Sequence, residues 1–251
     1  MGIVTLTIFL FALFGLVFGS FGNVLILRLE KRESLLGRSR CMSCKRSLGF
    51  LDLVPVLSYA FLGGRCRRCG AQISVQYPIV EILSGTVFVL AAALYPSNVF
   101  LAVLTAFLLY CLLLSSVEDV LYQKLPDMFV AGIAIAALVM TLLSGNILSS
   151  LSALCVTLVW FGGQWILSNG RATGTGDIFL SSALALWLGL RGTIAMLFLS
   201  YMVGAVITLL LLGLGVISMK QKRIAFGPFL AIGALLAFLG VGQEFFEIFL
   251  S

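Results

Sequence analysis

Long apolar runs dominate this chain and leave it few ways to fold. A helix needs about 20 apolar residues to cross a hydrocarbon core. By that measure about eight runs qualify, at 3–27, 78–94, 98–117, 128–143, 147–167, 176–190, 193–217 and 227–250. In lipid every backbone N–H and C=O must be satisfied within the chain, which leaves helices or closed barrels. The runs lack the period-two alternation of barrel strands. Composition agrees: 61% of residues are hydrophobic and 10% charged, against roughly 25% charged in a soluble domain. The expectation is an all-α polytopic membrane protein, with about eight transmembrane helices and one large polar loop. Short connections such as Tyr95-Pro96-Ser97 and Ser144-Gly145-Asn146 make neighbouring helices antiparallel. The first run has no basic leader segment and no small-x-small cleavage site, so it reads as a membrane helix and not a signal peptide.

Three regions follow: a lone first helix at 1–27, a basic cysteine-containing segment at 28–76, and a seven-helix bundle at 77–251. No convincing internal repeat is evident. Lysines and arginines collect on the cytoplasmic side of a membrane protein. The polar segment holds Arg28, Lys31, Arg32, Arg38, Arg40, Lys45, Arg46, Arg65, Arg67 and Arg68. Alternating the spans from there puts Lys124, Arg171, Lys220, Lys222 and Arg223 on the same side, with Arg191 opposite. That side is read as cytoplasmic, with both termini outside and Glu244 and Glu247 near the outer face. Membrane topology and anionic headgroups account for the net charge of +6 without a nucleic-acid partner.

The polar segment carries Cys41-Met42-Ser43-Cys44 and Cys66-Arg67-Arg68-Cys69. Four thiolates at this spacing can close a tetrahedral zinc site with no position left for water. Such a metal is structural and folds a loop too polar to build its own core. Flanking cations offset the charge of the thiolates. The other readings are two disulfides, a redox dithiol, or free thiols; a reducing cytoplasm weighs against disulfides. Cys111 and Cys155 fall mid-span and read as small core residues.

Carboxylates at the edge of a membrane helix are expensive and call for a reason. Asp177 closes Gly174-Thr175-Gly176-Asp177 at the head of an apolar run, and Asp119 ends another. The charge map puts Asp119, Asp127 and Asp177 at one membrane face. Two aspartates close together share a proton, and such a pair can run acid–base hydrolysis. The alternative reading makes Asp177 a helix N-cap, with Thr175 as a further cap, and Asp119 a solvated loop residue. Glu118 and Asp127 are rival partners, although Asp127 after Pro126 looks like an N-cap and Glu118 should point away from Asp119. With no histidine in the chain, Ser–His and Cys–His catalysis and a histidine-bound catalytic zinc are excluded.

Taken together, the motifs resemble those of bacterial type IV prepilin peptidases along nearly the whole chain. Gly19-Ser20-Phe21-Gly22-Asn23-Val24 with Arg28-Leu29 resembles the family's opening motif. The two cysteine pairs resemble its zinc loop. Asp52, Pro55 to Tyr59, Arg65-Cys66, Ile73-Ser74 and Tyr77 to Glu81 resemble further segments. Asp119 to Asp127, Gly174 to Asp177 and Phe226 to Ala231 resemble the remaining three. The resemblance implies a G-x-G-D membrane aspartyl protease in the bacterial inner membrane, with Asp119 and Asp177 catalytic at the cytoplasmic face. It implies cleavage of the basic leader of prepilins or pseudopilins after a glycine. It also implies N-methylation of the new N-terminus with S-adenosylmethionine in many members. Phe179 stands where the family usually has lysine. Leu53, Gly22 and Glu30 depart from it in the region associated with methylation.

Two readings from other classes compete. A zinc-containing transporter or assembly scaffold would need polar residues deep in several spans, and the helix centres are nearly bare of charge. A thiol oxidoreductase would place its dithiols on the reducing side.

Overall fold

A computed structural model describes residues 2–216 and 224–241. Lys220, Lys222, Arg223, Glu244, Glu247 and the end of the last expected span lie outside the described residues. The described residues are mostly helical and contain no strand, only the isolated bridges Arg40–Ser47 and Arg65–Gln72. The helices are α1 (Gly2–Lys31), α2 (Leu57–Phe61), α3 (Gln76–Leu94), α4 (Val99–Tyr122), α5 (Asp127–Ser144), α6 (Ile147–Thr157), α7 (Gly163–Ser168), α8 (Thr175–Gly213) and α9 (Gly227–Phe238). A 3₁₀ turn, Phe50–Asp52, precedes α2. A π-helical turn, Leu158–Gly162, joins α6 to α7 so that residues 147–168 form one rod.

Six of these rods are long and apolar enough to cross a membrane, and α9 is a shorter apolar helix. Their outward faces are hydrophobic: Ile3, Phe9, Phe14 and Phe21 of α1 are all exposed, as lipid contact requires. The chain is a multi-pass helical membrane protein.

By internal packing the chain divides into two units, Met1–Tyr110 and Cys111–Ser251. In the first, α1 lies directly on α3. A β-carbon at Gly15 would sit 2.7 Å from the Ser84 carbonyl oxygen, and one at Gly19 would sit 2.6 Å from Glu81 Cα. Two small residues four apart let the backbones touch, which is how helices associate where lipid removes the hydrophobic drive. Beside this seam, Asn23 is fully buried and donates to the carbonyls of Gly19 and Tyr77, at 3.2 and 3.1 Å. Phe11, Phe18, Phe88 and Tyr110 pack ring to ring, and the Tyr110 hydroxyl donates to the Phe18 carbonyl at 2.7 Å. At the polar end, the Arg28 guanidinium donates to the carbonyls of Ser34, Leu35, Gly37 and Arg38, winding the following loop around it.

In the second unit α8 packs against α5, α6 and α9. Its 39 residues would reach about 58 Å if straight, nearly twice a hydrocarbon core of about 30 Å. The excess is resolved at Gly189, whose φ of 66° and ψ of −177° only glycine adopts readily. There the Leu186 carbonyl and the Leu190 N–H part company, although an unbroken helix would pair them. Thr141 and Ser150 hydroxyls donate to that carbonyl at 2.6 and 2.9 Å, and Ser149 Oγ accepts from the Leu190 N–H at 3.0 Å. Three hydroxyls at the α5–α6 turn thus cap a break that lipid would otherwise penalise.

The two halves of α8 run in opposite directions. Gly176 lies on Leu125, while Leu186 and Leu190 lie at the α5–α6 turn. Tyr201 returns to Trp160 and Gln164, and Gly204 to Phe229. The break thus separates the expected sixth and seventh spans. With it the described chain follows the eight-segment order read from the sequence, its last segment helical as far as Phe238.

Several expected ends move. α1 runs on to Lys31 and α4 to Tyr122. Asp119 therefore stands inside the last turns of α4, not in a solvated loop.

Candidate active site and cysteine centre

Asp119 and Asp177 are each held by a main-chain amide. Asp119 is 7% exposed, and its Oδ2 accepts the Gly227 N–H at 2.8 Å. That amide opens α9, so a helix N-terminus with its unsatisfied N–H groups faces the carboxylate. Asp177 Oδ2 accepts the Gly174 N–H at 3.2 Å, reaching back from the third residue of α8 to its N-cap. The capping reading is corrected in its detail. Gly174 is the N-cap, Thr175 the first helical residue, and Asp177 the back-bonding acid of a capping box. Asp127 likewise is the first residue of α5, with Pro126 as N-cap, and it is exposed. Glu118 is 2% exposed and buried beside Asp119 in the sequence.

Leu125 ties the site together. A β-carbon at Gly176 would sit 3.0 Å from Leu125 Cβ, and one at Gly227 would sit 3.3 Å from Leu125 Cδ2 and 2.8 Å from Asp119 Oδ2. Glycine at both positions is a matter of space: any side chain would press on the loop or on the carboxylate itself. The end of α4, the loop before α5, the start of α8 and the start of α9 converge here. Phe179, two residues beyond Asp177, is 65% exposed. Gly227 and Leu125 were quoted in motifs but given no role by sequence reasoning. The contact of Gly227 with Asp119, and of Leu125 with both Gly176 and Gly227, emerges only from packing.

The four expected metal ligands, Cys41, Cys44, Cys66 and Cys69, form one cluster whose sulfurs all lie within 4.8 Å of one another. The Cys41 and Cys69 sulfurs are 3.9 Å apart, close to the separation of about 3.8 Å set by four Zn–S bonds of 2.3 Å in a tetrahedron. The two knuckles are copies of each other. The Cys41 N–H donates to the Arg46 carbonyl and the Lys45 N–H to the Cys41 carbonyl, each at 2.9 Å. Cys66 with Ala71, and Gly70 with Cys66, repeat both bonds at the same length. Lys45 and Gly70 both have positive φ, 57° and 68°, and the bridges Arg40–Ser47 and Arg65–Gln72 correspond. This local repeat was missed because the intervening residues differ.

Without a cation the cluster divides its protons unevenly. The N–H groups of Cys69 and Arg68 draw the Cys66 thiol down to about 6. The Arg46 N–H lowers Cys44. Although the Ala71 N–H draws on Cys69 too, its hydrogen bond with Cys66 and desolvation push it up to about 11. Neighbouring thiolates cannot all ionise unaided, and a bound dication removes that conflict. The cluster is compatible with zinc. Cys111 is buried as expected, but Cys155 is exposed and is not a core residue.

Residues 13–95 match the family described as Bacterial Peptidase A24 N-terminal domain, and residues 106–209 match the Type IV leader peptidase family. A "Type 4 prepilin-like proteins leader peptide-processing enzyme" from Escherichia coli is 33% identical over 70% of this chain and 74% of that relative. The chain belongs to the type IV leader peptidase family. Other members of this family are similar over more of its length. A "Prepilin leader peptidase/N-methyltransferase" from Aeromonas salmonicida is 31% identical over 90% of this chain and 88% of its own. One of the same name from Bacillus subtilis is 28% identical over 90% and 92%. No solved structure matches.

Proposed function

We propose that this member of the family cleaves the leader of prepilins or pseudopilins, after a glycine, with Asp119 and Asp177 as the catalytic pair. One observation supports the reading: two carboxylates from different helices are each anchored through Oδ2 by a backbone amide, and Gly176 and Gly227, beside those anchors, both pack on Leu125. One aspartate, ionised, takes a proton from water as the water oxygen attacks the scissile carbonyl carbon. The other, protonated, gives its proton to the carbonyl oxygen. In collapse of the gem-diol one hydroxyl returns its proton to the aspartate now ionised as the carbonyl re-forms and the C–N bond breaks, and the leaving nitrogen takes the proton held by the other aspartate.

The site is assigned to the cytoplasmic face of the bacterial inner membrane, on the strength of the lysine and arginine distribution. Lipids are then its surroundings and prepilins its partners, with no role for nucleic acid. Zinc on Cys41, Cys44, Cys66 and Cys69 would be structural, cross-linking the segment at 28–76. The three-part division at 1–27, 28–76 and 77–251 follows composition, whereas packing pairs α1 with α3.

The names of the relatives join N-methylation to peptidase activity, and that second activity is assigned here too. S-Adenosylmethionine would supply an electrophilic methyl group. A cavity of about 750 Å³ in the first unit has the size and donors for it. Glu81, Asp52, Tyr59 and Tyr77 line it, with Asp52 paired to Arg67 at 3.1 Å and Glu81 accepting the Val56 N–H at 2.7 Å.

The decisive experiment is incubation of purified protein with a prepilin, with N-terminal sequencing and mass measurement of the product, with and without S-adenosylmethionine. Cleavage after glycine that is lost in Asp119→Asn and Asp177→Asn, with folding and zinc content retained, is the expected result. Full cleavage by either variant would remove the pair.

A further inference from the structure

A polar and aromatic chain in the second unit joins the loop just before α8, the helix that carries Asp177, to the helix start that holds Asp119. Thr173, buried one residue before Gly174, donates through Oγ1 to Gln164 Oε1 at 3.2 Å. The Gln164 amide in turn donates through Nε2 to the Tyr201 hydroxyl at 3.1 Å. Trp160 Nε1 donates to the same hydroxyl at 3.1 Å. The Tyr201 ring packs on Phe226 with centroids 5.2 Å apart, and Phe161 and Phe229 close around Phe226 at 6.2 Å each. Phe226 is the N-cap of α9, immediately before the Gly227 amide that binds Asp119.

The local backbone is shaped for this chain of contacts. Trp160 lies in the π-helical turn and Gln164 just beyond it. The wider turn changes which side chains share a face, and π-turns of this kind recur at functional sites. Here it aims both donors at one oxygen. A phenol oxygen can accept two hydrogen bonds, and the Tyr201 hydroxyl receives two N–H groups. Tyr201 stands on the returning half of α8, so the hairpin at Gly189 is what brings it to the site's end of the bundle.

We propose that Gln164 and Tyr201 are positioning residues for the aspartate pair, setting the start of α8 and the start of α9 relative to each other. The proposal rests on the catalytic reading of Asp119 and Asp177. Neither residue touches the reacting atoms: one end of the chain acts through Thr173 and Gly174, the other through Phe226 and Gly227. Loosening it would displace one carboxylate against the other, an effect expected on kcat more than on KM. Small displacements of catalytic groups are costly in rate.

The test uses the full-length protein in detergent, with a purified prepilin as substrate. Tyr201→Phe keeps the ring on Phe226 and deletes the acceptor. Gln164→Leu keeps the bulk and deletes both bonds. Each is expected to lower kcat by about tenfold with KM within about twofold. The double variant should lose no more than either single one, because both cut the same chain. Thr173→Val should lose kcat similarly, and Thr173→Ser should recover most of it. The pH profile separates positioning from folding. A smaller folded fraction scales the rate equally at every pH, whereas a displaced proton-sharing pair moves a limb of the profile.

Wild-type kcat, or uniform scaling without a moved limb, would overturn the proposal while inactive Asp119→Asn and Asp177→Asn variants leave the catalytic pair standing. Active Asn variants would overturn both.

Discussion

The cysteine cluster and the aspartate site solve the same problem, bringing titratable groups together, by opposite routes. Each cysteine knuckle closes within a few residues through its own backbone bonds, and the two then meet across one short segment. The aspartate site is assembled from three helix ends and one loop, and the bond fixing Asp119 spans 108 residues of chain. A metal can organise the first almost alone. The second exists only once α8 has turned back at Gly189 and α9 has packed onto it. Damage to the cluster should therefore stay local, while damage far from the aspartates can still reach them.

That contrast can be broken by substitutions at each site. The largest effect is expected for Asp119→Asn and Asp177→Asn, which should lower the cleavage rate at least about a thousandfold with the zinc-to-protein ratio unchanged. A kinetic assay paired with metal analysis checks both halves. Next comes Gly227→Val, whose β-carbon would stand 2.8 Å from Asp119 Oδ2. Activity should fall by about a hundredfold, again without loss of metal. A Gly227→Val enzyme at wild-type rate would show that α9 does not position the carboxylate.

Cys44→Ser or Cys66→Ser, or a strong chelator, should take bound zinc from about one per chain to near none. The segment at 28–76 should then become protease-sensitive, while helicity by circular dichroism stays within about a tenth of wild type because the helices are held by lipid and by each other. The smallest effect compares the two knuckles. Lys45 occupies the positive-φ position where the second knuckle has Gly70. Relieving that backbone cost should make Lys45→Gly hold zinc about fivefold more tightly, and Gly70→Ala should weaken it by a similar factor, since the left-handed conformation costs about 1 kcal/mol. Chelator competition measures both.

Much of this was legible in the sequence because the signals are local or set by lipid. Run length marks the spans, charge marks their ends, and cysteine spacing marks the knuckles. The misreadings share a cause. Cys155 was taken for core because a mid-span position says nothing about which face looks outward. Asp119 was weighed as a loop residue because hydropathy ends a helix at the first charge, whereas α4 continues for another turn. Gly15 and Gly19 read as members of an apolar run, and their contact with α3 appears only in packing.

The sequence by itself determined the class of molecule, the rough limits of its apolar segments, and the four cysteines and two aspartates as candidate site residues. Each of these depends on residue type and spacing along one stretch of chain. Tertiary structure decided which helix ends meet. It decided that α8 reverses at a capped glycine, that the Gly227 amide holds Asp119, and that Gln164 and Tyr201 link the loop before α8 to the start of α9. Those facts come from close packing between residues far apart in the chain. No local pattern of apolar and polar residues encodes them.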